Sequence, residues 1–252
     1  MSLSLRQLTQ ARVGLGRAGN SLPTSELLEF RLAQARARDA VHIALDVQSL
    51  RAELREIGME SIALVSAARN RTEYLRRPDL GRKLSPESLA DLKSLATQAG
   101  IAFVIADGLS ALAVHRHAPP LLRLVAGELR ESGESVAPVI IATQGRVAIG
   151  DEIGAALGAE LSVVLIGERP GLSAPDSLGV YLTWHPKPGR SDAERNCISN
   201  IRPEGLSYEA AAFKLLFLVR EARRLKLSGV HLKEPSAISA QLSATPERPT
   251  PE

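Results

Sequence analysis

From about residue 60 onward, short apolar runs alternate with amphipathic stretches of helical character, and this alternation most constrains the fold. Five runs have the length and composition of strands: IALVS (62–66), IAFVIADG (101–108), VAPVIIAT (136–143), LSVVLIGE (161–168) and LGVYLTW (178–184). Strands that alternate with helices are typical of a parallel sheet with helices on both faces. The sequence therefore predicts an α/β chain built on a doubly wound, mostly parallel sheet.

Helical patterns fill most of the remaining chain. Ser85-Pro86 begins one helix clearly, because serine caps helices well and proline suits the first position. The predicted helices span 4–13 (a turn or short helix), 23–40, 47–57, 85–100, 109–133 with a break near Pro119-Pro120, the later part of 145–158, and 207–227. We divide the chain into an N-terminal helical segment (1–58), a sheet domain (59–232) and a proline-containing tail (233–252) that is predicted to be disordered.

Composition excludes several function classes. Aromatic residues make up only 3% of the chain and the net charge is a dispersed +3, so neither stacking surface nor basic clustering indicates a nucleic-acid partner. No apolar run is long enough for a membrane span, and the first residues lack the apolar core of a signal peptide. A single cysteine excludes an internal disulfide and fits a reducing compartment. We therefore expect a cytoplasmic protein.

Polar residues follow three of the predicted strands, at Asp107, Thr143 and Glu168. Because the carboxyl ends of parallel strands meet at one edge of a sheet, these residues should share the edge where ligands bind. Glu168 has two interpretations: an ion pair with Arg169 or Arg146, or an acceptor for amide or hydroxyl groups of a ligand.

Two further features of this edge also have open interpretations. The backbone amides of residues 145–147 open a helix and could receive a phosphate or another polar group. Asp107, with Gly108 and Ser110, is either part of a ligand cluster or a plain helix cap.

Other motifs give weaker signals. GLGRAGN (14–20) satisfies the GxGxxG pattern, but no apolar strand precedes it, so a loop between helices is favoured over dinucleotide binding. His115 and His117 point apart on a helix and are predicted to be surface residues, and we predict no metal site. Cys197 lies in a predicted polar loop, RNCISN. It has two interpretations: a small buried residue, or a nucleophile, for which no histidine lies nearby in the sequence. No catalytic acid–base pair emerges. Spacing alone predicts a domain that binds a polar, phosphate-bearing ligand at its sheet edge.

Six ordered blocks resemble one known family, the small (light) subunit of ethanolamine ammonia-lyase. They are ARVGLGRAGN (11–20), YLRRPDLGR (74–82), VIADGLSALAV (104–114), QGRVAIGDEIG (144–154), LIGERPGL (165–172) and ERNCISNI (194–201), and the resemblance covers about residues 5–232. It implies a Rossmann-like core that closes over adenosylcobalamin against a large TIM-barrel subunit. That partner would hold ethanolamine, which the enzyme converts to acetaldehyde and ammonia by a radical mechanism.

The resemblance also implies site residues. Family contacts to cobalamin carry over to Val147 in GRVAIGD, Glu168 in IGERPG and Cys197 in RNCISN, with no catalytic residue on this chain. Some family members are directed into bacterial microcompartments by an N-terminal extension, whereas the matched blocks begin here almost at Met1. The alternative is a non-catalytic Rossmann-like module that binds a nucleotide or cobalamin with another partner.

Overall fold

A six-stranded sheet organises the chain in the computed structural model, which describes residues 11–95 and 98–233. The strands are β1 (Ser61–Val65), β2 (Ile101–Ala106), β3 (Val139–Thr143), β4 (Leu161–Gly167), β5 (Leu178–Trp184) and β6 (Arg195–Ile201). Their order across the sheet is β1-β3-β2-β4-β5-β6. The first four of these run parallel, β5 is antiparallel to β4, and β6 is antiparallel to β5. The predicted α/β class with a mostly parallel sheet is confirmed.

Helices cover both faces of this sheet. They are α1 (Thr24–His42), α2 (Val47–Glu56), α3 (Arg71–Arg76), α4 (Pro86–Ser94), α5 (Ala111–Glu131), α6 (Ile149–Ala156) and α7 (Tyr208–Leu225), with short 3-10 turns at Leu80–Arg82, Asp192–Glu194 and Gly229–His231. One buried apolar cluster joins the sheet to α2, α5 and α7. A second cluster joins the opposite face to α4 and α6. Helices on two faces account for the near-continuous apolar runs of β2 and β4, which are buried along their whole length.

The last part of the sequence departs from the prediction. RNCISN is not a polar loop, because it forms most of strand β6 and pairs with β5. Only Arg195, Ile198 and Ile201 of this strand are buried, so the segment lacks the apolar run that signals a strand. Pairing with β5, rather than hydrophobicity, therefore defines β6.

Helix α5 passes through Pro119 and Pro120 without the predicted break. Each proline removes one backbone donor, which normally weakens or ends a helix. The adjoining Ala118, Leu121 and Leu122 are completely buried in the sheet core. The burial of Leu121 and Leu122 offsets the two lost hydrogen bonds, because a fully buried leucine side chain stabilises by about 1.5–3 kcal/mol.

Smaller differences concern segment ends. Helix α3 was not predicted; Asn70 caps it by accepting the N–H of Glu73. Helix α4 ends at Ser94 rather than at Gly100. The predicted turn or helix at 4–13 lies largely outside the described residues, and residues 11–13 are not helical. The predicted tail lies outside them from residue 234 onward.

The chain after α7 returns to the edge strand β6. The side-chain amide of Asn196 donates to the carbonyl oxygens of Gly229 and Leu232, and its oxygen accepts the N–H of Gly229 at 2.7 Å. Gly229 has a φ of +84°, and a β-carbon there would collide with the backbone of Ala193 and Glu194. A side chain therefore fastens the C-terminal segment to the sheet edge.

Candidate functional site

The carboxyl ends of the parallel strands meet at one edge, as the sequence predicts. The N–H of Gly145, just after β3, donates to the carboxylate of Asp107, which follows β2, at 3.0 Å. The N–H of Leu109 donates to the carbonyl of Gly167, at the end of β4, at 3.0 Å. Three strand ends are therefore joined by direct hydrogen bonds.

Two of the three backbone amides that the sequence analysis offered to a polar ligand, those of Gly145 and Arg146, are already engaged within the protein. Gly145 donates to Asp107, and the N–H of Arg146 donates to the carbonyl of Gly81 at 2.7 Å. Asp107 also accepts backbone hydrogen bonds from Gln144 and Gly108. Burial raises the pKa of Asp107, and these amides and Arg71 oppose the increase. Its carboxylate holds the loop between β3 and α6, while Ser110 caps α5.

Tyr74 packs against the loop between β3 and α6 and stabilises it, a role that the sequence analysis missed. The guanidinium carbons of Arg71 and Arg146 lie 4.6 Å and 4.3 Å from its ring centroid, and its hydroxyl donates to the carbonyl of Gly145 at 3.3 Å. Burial raises the pKa of Tyr74 to about 12, so the hydroxyl stays protonated and remains a donor. Val147 directly follows this loop, so these contacts hold the backbone that leads to it.

Glu168 resolves one of the open alternatives. It follows β4 and is half-buried, and its Oε2 accepts the N–H of Asn200 at 3.2 Å. Among the described residues, no ion pair joins it to Arg169 or Arg146, since Arg146 is engaged with Tyr74. One carboxylate oxygen is thus positioned by β6, and the group keeps further acceptor capacity.

Cys197 lies on β6 directly opposite Tyr181 of β5 and is an exposed residue, not a buried one. Although the residue is exposed, neighbouring protein groups partly desolvate the sulfur, and this raises the pKa of the thiol. A hydrogen bond from Tyr181 opposes the increase and the nearby charge of Glu168 adds to it. A raised pKa keeps the sulfur as a thiol at neutral pH, so this cysteine is a poor nucleophile.

Gly179 completes the surface around these groups. A β-carbon at this position would lie 3.1 Å from Oε1 of Glu168 and 3.3 Å from Cε2 of Tyr181. We call Glu168, Gly179, Tyr181 and Cys197 the sheet shelf. Val147 is half-buried and packs against the same apolar cluster as Tyr181. The structure therefore brings Glu168 and Cys197 together around Tyr181, and places Val147 against the core that supports them.

The sequence could have indicated Gly179 and Tyr181. They are two residues apart in the predicted strand 178–184, so both face the same side of the sheet. Cys197 faces that side as well, because it pairs with Tyr181 across β5 and β6. The sequence analysis could not make this connection, because it interpreted RNCISN as a loop and so predicted no pairing between Cys197 and β5.

His115 and His117 have structural roles, and the glycine-rich segment does not have the geometry of a dinucleotide site. His115 accepts the N–H of Asp46 at 2.8 Å. His117 is buried, contrary to the surface prediction, because its Nδ1 lies 2.8 Å from the hydroxyl of Tyr208. GLGRAGN is a loop, and α1 begins only at Thr24, so the helix does not open on the glycines as a dinucleotide site requires.

Comparison with known proteins identifies the family. The sequence matches the family described as Ethanolamine ammonia-lyase light chain over residues 2–233. The chain belongs to this light-chain family. It is 55% identical to the ethanolamine ammonia-lyase small subunit of Azotobacter vinelandii over 239 residues, which cover 93% of this chain and 88% of that protein. It is 53% identical to the small subunit of Pseudomonas fluorescens strain SBW25 over 249 residues, covering 97% and 90%.

The light-chain assignment confirms the resemblance seen in the sequence. No group of three or more histidine, cysteine or acidic side chains within residues 11–95 and 98–233 could hold a metal ion. No helix in the described part of this light chain is both long and apolar enough to cross a membrane. The sheet shelf brings together a carboxylate acceptor, a thiol and a hydroxyl, of which Cys197 is exposed and Glu168 and Tyr181 are half-buried.

Proposed function

We propose that this chain is the small subunit of an adenosylcobalamin-dependent ethanolamine ammonia-lyase, and that the sheet shelf is its cofactor-binding surface. Family membership over residues 2–233 is the observation that carries the assignment. The relatives are named as subunits of an enzyme that deaminates ethanolamine, which implies a large partner subunit. In this proposal residues 59–232 bind the cofactor and residues 1–58 face the partner.

The residues of the shelf fit cobalamin. This cofactor is broad and bears amide side chains, so it needs an open surface with hydrogen-bond acceptors. Gly179 allows the carboxylate of Glu168 to lie directly on the sheet, since a β-carbon there would press on it. The exposed Cys197 provides a small, soft contact in the same place.

Within this site, Glu168 would accept hydrogen bonds from cofactor amides or from hydroxyls of the nucleotide loop. Asn200 fixes its carboxylate by donating to one oxygen, which leaves the other free to accept. Val147 would provide apolar and backbone contact where α6 begins. Cys197 would pack as a thiol, because its raised pKa disfavours the thiolate.

When bound, adenosylcobalamin supplies the radical that begins the rearrangement of ethanolamine. The residues of this chain orient the cofactor and exclude water from one side of it. In this proposal the large subunit holds ethanolamine.

The surface of α1 supports a partner for this chain. Of its residues only Ala40 is buried, while Leu28 and Leu32 are 59% and 51% exposed. A helix of this length gains most of its stability from packing an apolar face. We propose that the large subunit covers this leucine stripe.

The test is reconstitution with the large subunit, followed by substitution of Glu168. Acetaldehyde should form from ethanolamine and adenosylcobalamin only when both chains are present. Glu168→Ala should weaken adenosylcobalamin binding roughly tenfold to a hundredfold, since a hydrogen bond to a charged group contributes about 1.5–3 kcal/mol. Binding is measured by equilibrium dialysis of the complex.

Glu131→Ala is the matched control, because this exposed carboxylate lies at the far end of α5. It should leave cofactor affinity unchanged. Equal affinities of wild type and Glu168→Ala would remove Glu168 from the site. An assembled pair that binds cobalamin but produces no acetaldehyde would favour the alternative, a cobalamin-binding module that serves another reaction.

A further inference from the structure

Asp151 of α6 and Arg195 of β6 form an ion pair in the interior of the protein. Both side chains are only 2% exposed. The guanidinium meets the carboxylate in a two-pronged contact, with Nη1 2.6 Å from Oδ1 and Nη2 2.7 Å from Oδ2. Such paired hydrogen bonds fix the relative orientation of the two groups as well as their distance.

The remaining donors of Arg195 are also engaged. Nη1 donates to the hydroxyl of Thr183 at 3.0 Å, Nη2 to the carbonyl of Arg190 at 2.9 Å, and Nε to Asp192 at 3.5 Å. A guanidinium has five N–H groups, and all of them have partners here. The position of Arg195 is therefore determined from β5, from the loop before β6 and from α6 together.

Glu152 of α6 also accepts the N–H of Leu84, outside the sheet strands, at 2.6 Å. The other contacts between α6 and the sheet strands are less directional. A β-carbon at Gly150 would lie 2.8 Å from Oγ of Ser162 and closer still to a methyl group of Val164, so the helix backbone rests directly on β4. Ile149 and Ile153 add buried apolar contact. Apolar contact holds the helix against the sheet but does not fix its position along it, because the hydrophobic effect has no direction.

The ion pair joins the two sides of the proposed cofactor surface. Asp151 lies four residues after Val147, in the first turn of the helix that Val147 precedes. Arg195 lies two residues before Cys197 on the same strand, and alternate residues of a strand share a face. We infer that the Asp151–Arg195 pair positions the start of α6 relative to β6, and so sets the separation of Val147 from the sheet shelf for cobalamin. This inference rests on the proposed function.

A purely stabilising role predicts different behaviour. Buried ion pairs contribute little net stability, because desolvation offsets attraction, and well-packed apolar replacements of both partners are often neutral. Removal of one partner alone leaves a buried charge and destabilises the fold. A double apolar replacement therefore separates positioning from stability.

The experiment compares Asp151→Leu/Arg195→Met with wild type in the complex with the large subunit. Adenosylcobalamin affinity is measured by equilibrium dialysis, and the unfolding temperature is measured without cofactor. We expect at least a tenfold loss of affinity with an unfolding temperature within a few degrees of wild type. The control is Glu221→Ala/Arg224→Ala, which removes another two-pronged pair, on α7 at the opposite face of the sheet, and should change neither quantity. The side chain of Arg224 is 64% exposed and that of Glu221 24% exposed.

Arg195→Lys provides a second variant if the double replacement fails to fold. It keeps the charge opposite Asp151 but loses the planar fork. A folded Arg195→Lys complex with weakened binding supports the inference. Wild-type affinity in either folded variant overturns it and leaves the proposed function intact. Failure of the wild-type complex to bind adenosylcobalamin would instead overturn the proposed function.

Discussion

Replacement of Gly150 by alanine tests whether α6 rests on β4 as described. The new methyl group would lie 2.8 Å from Oγ of Ser162 and closer to Cγ2 of Val164. Both neighbours belong to β4, which is buried along its length and paired on both sides, so they have no free space to move into. The helix must therefore move away from the sheet.

The magnitude follows from two opposing contributions. Alanine favours a helix over glycine by at most about 1 kcal/mol, and less near a helix end such as Gly150. Overpacking a well-packed interior costs about 1–3 kcal/mol. We expect Gly150→Ala to lower the free energy of unfolding by about 1–2 kcal/mol. For a chain of this size that lowers the unfolding temperature by roughly 2–8 °C.

Gly127 in α5 is the matched control, since a β-carbon there has no atom within 4 Å. Gly127→Ala should raise the free energy of unfolding by about 0.5–1 kcal/mol. Urea unfolding followed by circular dichroism measures both variants. If Gly150→Ala stabilises the chain as Gly127→Ala does, then α6 does not pack directly on β4 and the argument for its position fails.

Two further predictions concern a buried histidine and the leucine stripe. Burial lowers the pKa of His117 from its usual 6.5, despite Asp176 nearby. The unfolded chain therefore binds this proton at a higher pH than the folded chain, and stability should decline as pH falls below about 6.5. In His117→Gln, the urea concentration at the unfolding midpoint should change less between pH 7.5 and pH 5 than it does in wild type. An equal change in both proteins would contradict His117 as the origin of the pH dependence. Leu28→Asp with Leu32→Asp should sharply reduce co-purification with the large subunit at an unchanged unfolding temperature; undiminished co-purification would place the interface elsewhere.

The sequence predicts the elements whose signals are local. Apolar runs located β1 to β5, and serine caps located the starts of α4 and α7, where Ser85 and Ser207 accept the expected backbone hydrogen bonds. The shared edge of the parallel strands followed from handedness, without any contact information.

Features that depend on distant partners were not predictable. His117 is buried because Tyr208, 91 residues later, provides its hydrogen bond. Asp151 and Arg195 are 44 residues apart and look like ordinary surface charges in the sequence. The antiparallel direction of β5 depends on its neighbours in the sheet, which composition does not specify. Glu168 stood out in the sequence at the end of its strand, but the family resemblance alone assigned Val147, Glu168 and Cys197 to cobalamin, and that role stays a prediction.

The attachment of the C-terminal segment to β6 bears on whether this edge strand can pair with another molecule. An edge strand presents unpaired backbone groups to which the strand of another molecule can add. Asn196 holds the turn at Gly229–His231 beside this edge, with Gly229 too close for any side chain. Shortened versions of the chain that end before Ser228 would expose the edge of β6. Aggregation of such versions would then result from the exposed strand edge and not from loss of packing in the hydrophobic core.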